Sequence, residues 1–308
     1  MVYFTLLYVV HLLVVCAALL LRLCTFASSG HSTRRHLSRT PIQNMRIPRL
    51  LFAAASSVPR LTPRHARWAC SAGDAESAVA ANLERVRAQL ADAAGATSPR
   101  LVAVSKTKPV DLLREAYDAG QRDFGENYVQ EIISKAPDMP EDVAWRFIGK
   151  LQSNKAKALV HGVPSLVCIE TVDSAKLANK LQGAAAALDP PRATPLGVMV
   201  QVNTSPWEGS KGGVLADEAP ALAEHIRDAC PDLRLVGLMT IGQSGEASCF
   251  GTLRDCRDAV AASLDVSPDS LELSMGMSGD FAEAIQAGSN SVRVGSSIFG
   301  ARDYPPKA

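Results

Sequence analysis

Two hydrophobic periods take turns along this chain. Residues 75–93 follow the helical period, with Val79, Leu83, Val86 and Leu90 on one face. From about residue 100, short continuous apolar runs alternate with longer amphipathic segments. The runs predict strands over 101–105, 123–125, 144–148, 166–169, 196–202, 233–239, 271–274 and 292–294. Between them the pattern predicts helices over 110–119 (closed by Gly120), 128–135, 154–160, 174–188, 215–229, 250–264 and 280–287, with a short terminal helix after Gly295-Ser296-Ser297. Strands apolar on both sides and alternating with helices imply a parallel sheet covered by helices. Eight strand–helix units in the 235 residues from 74 onward fit a single (β/α)8 TIM barrel preceded by an N-terminal helix. A doubly wound open sheet is the alternative. It would normally carry a G-x-G-x-x-G loop after its first strand, where this chain has Ser105-Lys106-Thr107-Lys108-Pro109.

A barrel builds its site at the C-terminal ends of its strands. Here those ends supply Lys106 and Lys108, then Gly125-Glu126-Asn127, Gly149-Lys150, Glu170-Thr171, Asn203-Thr204 and Thr240. The last two supply Ser274, Gly276 and Ser278, and Arg293, Gly295 and Ser296. The small residues of the last two loops let backbone N–H groups approach an anion, and loops seven and eight are where barrels commonly bind phosphate. A lysine facing such a cradle suits a Schiff base, because burial near cations lowers its pKa and frees the amine to attack an aldehyde. Lys106 and Lys108 share strand parity, so alternation does not choose between them; the early departure of the chain at Pro109 favours Lys106. Asn127 has a structural alternative, since Asn127-Tyr128-Val129-Gln130 fits a capping box. Ser153 or Asn154 reads as a helix cap, and Lys211 lies in a glycine-rich loop that either covers the site or has no role in it.

Charge divides the chain. The 308 residues carry a net charge of +1, yet residues 1–73 hold nine arginines, no lysine and no acid. The remainder carries 23 basic and 31 acidic side chains, which argues against nucleic acid as its main partner. The arginine-rich part reads as a targeting leader. Residues 2–21 are almost wholly apolar and long enough for a membrane helix or a signal segment, although the arginines follow the run and none precedes it. Residues 28–70 are rich in Ser, Thr, Arg and Pro, the composition of a transit peptide for a mitochondrion or plastid, and Met45 opens a compact version by itself. The domain reading is therefore a leader over 1–73 and a barrel over 74–308, organellar if the leader is used and cytoplasmic if it is not, with no membrane association of the mature barrel.

The seven cysteines form no C-x-x-C pair and the number is odd, so neither a disulfide framework nor a zinc site is expected. Only His161 and His225 fall in the body, placed at a helix end and at a helix surface or boundary.

Several strings carry a family resemblance together. They are Ala103-Val104-Ser105-Lys106-Thr107-Lys108-Pro109, Phe124-Gly125-Glu126-Asn127-Tyr128-Val129-Gln130-Glu131, and Phe147-Ile148-Gly149-Lys150-Leu151-Gln152-Ser153-Asn154-Lys155. With them stand Gly237-Leu238-Met239-Thr240-Ile241, Leu273-Ser274-Met275-Gly276-Met277-Ser278 and the run from Arg293 to Tyr304. In this order, from about 75 to 305, the chain resembles the pyridoxal phosphate homeostasis protein family, which is similar to the barrel domain of alanine racemase. The resemblance implies a fold-type III barrel that holds pyridoxal 5′-phosphate (PLP) as an internal aldimine on Lys106. It places the phosphate grip on Ser274, Ser278, Gly295 and Ser296, and Arg293 near the pyridine nitrogen. Asn127 joins the cofactor-binding set. The loop Trp207-Glu208-Gly209 with Gly212-Gly213 departs from the family pattern and leaves Lys211 without an assigned role.

PLP chemistry draws electrons toward a protonated ring nitrogen, and a permanent cation such as Arg293 opposes that protonation. A racemase also needs acid–base groups on both faces of the substrate carbon, and only eight residues follow Gly300. The expectation is a PLP carrier with little or no catalysis that releases PLP or passes it to PLP-requiring apoenzymes. A racemase-like PLP enzyme and an aldolase-like barrel without PLP are the alternatives.

Overall fold

Ser77 is the N-cap of the first described helix, its hydroxyl accepting from the N–H groups of Val79 and Ala80. In the computed structural model, which describes residues 77–95, 97–205, 212–243 and 246–301, this cap starts helix α1 (Ala78–Ala94). Its buried residues are Val79, Leu83, Val86 and Leu90, the face the periodicity predicts. The Ser77 hydroxyl also reaches Glu115, and Asn82 donates to the carbonyl of Ile298 at 3.0 Å, so α1 is tied to two later elements.

The strands are β1 (Arg100–Val104), β2 (Asp123–Glu126), β3 (Ala144–Phe147), β4 (Leu166–Val172), β5 (Leu196–Gln201), β6 (Leu233–Met239), β7 (Glu272–Met277) and β8 (Ser291–Val294). All pair in parallel in chain order, and β1 pairs with β8 through Leu101↔Val292 and Ala103↔Val294, which closes the barrel. A doubly wound sheet is excluded by that closure. The connecting helices are α2 (Val110–Asp118), α3 (Val129–Lys135), α4 (Ala156–Gly162), α5 (Ala175–Ala186), α6 (Ala219–Ala229), α7 (Ser248–Leu264) and α8 (Phe281–Gln286), followed by α9 (Ser296–Phe299). The main core lies between strands and helices, with Phe124, Trp145, Leu113, Leu159 and Leu181 fully buried. A smaller cluster of Cys168, Met199 and Met239 forms on β4, β5 and β6.

Three boundaries differ from the sequence expectation for identifiable reasons. Helix α6 starts at Ala219 rather than 215, because Pro220 occupies its first turn and Leu215–Glu218 turn back on themselves, the Leu215 N–H donating to Glu218 Oε2. Strand β4 continues past 169 because Glu170 and Thr171, polar in sequence, find buried partners. Strand β7 continues past Ser274 because its ladder with β8 continues, Met277 pairing with Arg293.

His161 lies in the last turn of α4, against the Ala184 carbonyl, and His225 is half-buried on α6 beside Asn179. Cys168, Cys230, Cys249 and Cys256 are buried free thiols. No helix among the described residues is long and apolar enough to cross a membrane. The leader, Lys211 and the string after Ala301 lie outside the described residues.

Candidate functional site

A cavity of about 320 Å³ opens at the C-terminal ends of the strands. It is lined by residues following β1 (Lys106, Lys108), β2 (Asn127) and β3 (Ile148), by Met239 and Ile241 around the end of β6, and by Met277, Ser278 and Gly279 from β7 onward. Arg293, Gly295, Ser296 and Gly300 complete the wall. Six of the seven residues singled out from the sequence are thus brought together. Ser274 is not on the wall. It is fully buried within β7, where its hydroxyl donates to Glu170 Oε2 at 2.6 Å and accepts from Arg293 Nη1 at 2.6 Å.

Lys106 and Lys108 both reach the cavity, as their shared parity allows, although the chain leaves strand geometry between them. Thr107 has φ +63°, and Lys108 N–H closes a turn on the Ser105 carbonyl at 3.1 Å. The Lys108 ammonium donates to the Ala301 carbonyl at 2.5 Å, tying the β1 end to the segment after α9.

The capping-box reading of Asn127 is corrected. Helix α3 begins at Val129 with Tyr128 at its N-cap and no side-chain cap. The Asn127 Oδ1 is buried and has no hydrogen-bond partner among the described residues, although the side chain lines the cavity. An orphaned carbonyl costs about 1–3 kcal/mol, a cost that a donor on a ligand would relieve. Asn127→Ala is therefore expected to leave the ligand-free barrel as stable as the parent or slightly more so, while weakening ligand binding roughly tenfold. Thermal melts and a binding titration on the same preparations check this; a variant that melts lower and binds normally refutes it. The helix at 153–162 likewise has no side-chain cap from Ser153 or Asn154.

Glycines shape the mouth. A Cβ on Gly149 would stand 2.0 Å from the Asn127 carbonyl oxygen, so the β2 and β3 ends can meet only without a side chain there. Gly149→Ala is expected to displace Asn127 and to destabilise the barrel by about 1–3 kcal/mol, read by urea denaturation; an unchanged midpoint would contradict it. Opposite, the Gly295 N–H donates to Ser278 Oγ at 3.3 Å, and a Cβ on Gly295 would press within 3.2 Å of the Val104 carbonyl. Ser278, Gly279, Gly295 and Ser296 form a small-residue cradle with room for an anion.

Arg293 is 5% exposed and held by Ser274 and by the Thr240 carbonyl, which accepts from Nη2 at 2.6 Å. Burial pushes its guanidinium below the usual arginine range, against the pull of Glu170 and Asp280; an arginine so placed stays cationic at neutral pH. Behind it runs a chain of charges of which Glu170 alone stands among the strand-end candidates of the sequence. Glu170 Oε1 accepts from Arg146 Nη1 at 3.1 Å, and Arg146 Nε donates to Asp123 at 2.9 Å. The Cys168 thiol beside this chain is pushed far up, by burial first and by the Glu170 carboxylate second. The signal was present in Ala-Trp-Arg-Phe and Val-Arg-Val. An arginine flanked by apolar residues in a parallel strand must find an interior partner.

The described walls fit a flat, anionic aromatic aldehyde. They combine apolar flanks (Ile148, Met239, Met277), an unpaired buried acceptor, a small-residue anion cradle and lysines beside an arginine. This set of features defines a small-molecule site at the mouth of a (β/α)8 barrel. Residues 75–303 match the family described as alanine racemase, N-terminal domain. The chain is 49% identical over 224 residues to the pyridoxal phosphate homeostasis protein of Bos taurus, covering 69% of this chain and 80% of that protein. It is 43% identical over 258 residues to the human protein of that name, covering 78% and 92%. PipY of Synechococcus elongatus, solved with PLP bound, superposes with a TM-score of 0.60 at 33% identity, over 72% of this chain and all of that one. The chain belongs to the pyridoxal phosphate homeostasis protein family.

Proposed function

We propose that this barrel binds PLP in the cavity, with Lys106 as the covalent anchor, and serves PLP homeostasis by holding the cofactor and giving it up. The observation that carries the reading is the orphaned Asn127 carbonyl facing a cavity walled by Lys106, Arg293 and the Ser278–Gly295 cradle. PLP supplies an aldehyde that a lysine amine captures reversibly. Lys106 would provide that amine, Ser278, Gly295 and Ser296 would receive the phosphate, and Asn127 would accept from a polar group on the ring. Ser274 would act through Arg293.

A holding role is favoured over amino-acid turnover. The titratable groups on the described wall are Lys106, Lys108 and Arg293, all basic, with no carboxylate, histidine, tyrosine or cysteine among them. A permanent cation at Arg293 disfavours the protonated ring nitrogen on which PLP catalysis draws. The test is incubation of the PLP-loaded protein with L-alanine under a chiral assay, beside transfer of PLP to an apo-transaminase. Transfer without racemisation supports the reading, and Lys106-dependent racemisation overturns it.

Recipient apoenzymes and destination belong to the same proposal. Residues 1–73 would direct the barrel of 74–308 to a plastid or mitochondrion, and N-terminal sequencing of the mature protein tests it; a mature chain that begins at Met1 refutes it.

A further inference from the structure

A clasp of three charged side chains surrounds the turn that presents Lys106. Lys135, at the end of α3 and 7% exposed, places Nζ among three acceptors: the Ser105 carbonyl at 2.9 Å, Glu126 Oε1 at 2.7 Å and Glu131 Oε2 at 2.8 Å. An ammonium has three donors, and all three are used. The two carboxylates are committed to the same turn. Glu126 accepts from the Ser105 hydroxyl at 2.7 Å, and Glu131 accepts from the Thr107 N–H at 2.7 Å. Residues 105 and 107, the two neighbours of Lys106, are therefore both fixed to one buried cation.

The turn needs such support. Thr107 is β-branched and sits at φ +63°, a left-handed conformation that persists only where the surroundings over-determine it. Stability alone does not account for the arrangement, because a buried ion cluster is often no better for stability than apolar packing of the same volume. Its geometry is specific to the orientation of one side chain.

We propose that Lys135, acting with Glu126 and Glu131, is a positioning residue that aims the Lys106 amine into the cavity and thereby sets how long PLP is retained. The retention part rests on the PLP reading given above; the orientation part does not. Lys135→Met keeps an unbranched side chain, one atom shorter, and removes the charge and its three donors. Glu131→Gln keeps an oxygen for the Thr107 N–H and the ammonium, which share one carboxylate oxygen, and removes the negative charge that strengthens both bonds. Ser134→Ala, on the exposed face of the same helix, is the control.

Amide exchange is measured in the PLP-free protein over 105–108 and over β6, and PLP release is followed in the loaded protein with a semicarbazide trap. Lys135→Met is expected to speed exchange at Thr107 and Lys108, and PLP release, about tenfold, with Glu131→Gln intermediate at about threefold and Ser134→Ala unchanged. A folded Lys135→Met with wild-type exchange at 105–108 overturns the proposal, as does exchange accelerated equally in β6. If Lys135→Met does not fold, Glu131→Gln decides by the same two outcomes. Failure of the PLP reading shows separately, as absence of a borohydride-fixed pyridoxyl mass on wild-type Lys106.

Discussion

Lys106→Ala is expected to lose the visible absorbance band of the PLP-loaded protein and its borohydride-fixed pyridoxyl label, and to bind PLP about a hundredfold more weakly, a change of ~2.7 kcal/mol. The remaining affinity would come from the Ser278–Gly295 cradle and the apolar walls, which the substitution leaves in place. The barrel itself should be unaffected, because the turn is held through Ser105 and Thr107. Peptide mapping after borohydride reduction distinguishes the two lysines on the wall. Label on Lys106 is the expected result. Label on Lys108, or an undiminished band in Lys106→Ala, would show that the anchor has been misassigned.

Glu170→Ala is expected to produce the largest loss of stability, about 3–5 kcal/mol by urea denaturation. Glu170 is fully buried and stands between Arg146 and the Ser274 hydroxyl that supports Arg293. Its removal leaves two nearly buried guanidinium groups, 6% and 5% exposed, short of negative charge. Asp123 remains for Arg146, whereas Arg293 keeps the pull of Asp280 but hydrogen-bonds only to neutral groups, Ser274 and the Thr240 carbonyl. PLP binding should weaken with stability, because Arg293 reaches the cavity from this chain. Glu170→Gln, which keeps one acceptor oxygen, replaces the other with an NH2 donor and removes the charge, should fall between wild type and Glu170→Ala. A Glu170→Ala barrel destabilised by less than about 1 kcal/mol would mean that the buried chain is compensated by water or by rearrangement.

What was legible in the sequence follows from local physics. Helical periodicity over 75–93 and apolar runs alternating with amphipathic segments are properties of neighbouring residues, and they recovered α1, the eight strands and the barrel. Errors fell where an element's limit depends on a distant partner. Strand β4 runs further because Glu170 meets Arg146 and Ser274, the latter 104 positions away in the chain, and β7 runs further because Met277 still pairs with Arg293 of β8. The capping-box pattern at Asn127 was a fair local inference, but the close approach of Gly149 to the Asn127 backbone and the start of α3 at Val129 left that side chain facing the cavity.

The barrel, the family and the strand ends that carry the site were legible in the chain alone, because eight βα units in 235 residues with no glycine-rich loop after the first strand favour a closed barrel and the motifs stand at fixed places along them. Only the tertiary structure decided which polar residues face the cavity and which stand behind it. Ser274 moved behind Arg293, Asn127 was released from a capping role, and Lys135 was drawn beneath the Lys106 turn. The reason is desolvation: a buried charge or hydroxyl must find a partner, and partners such as Arg146, Glu170 and Ser274 meet only when the barrel closes.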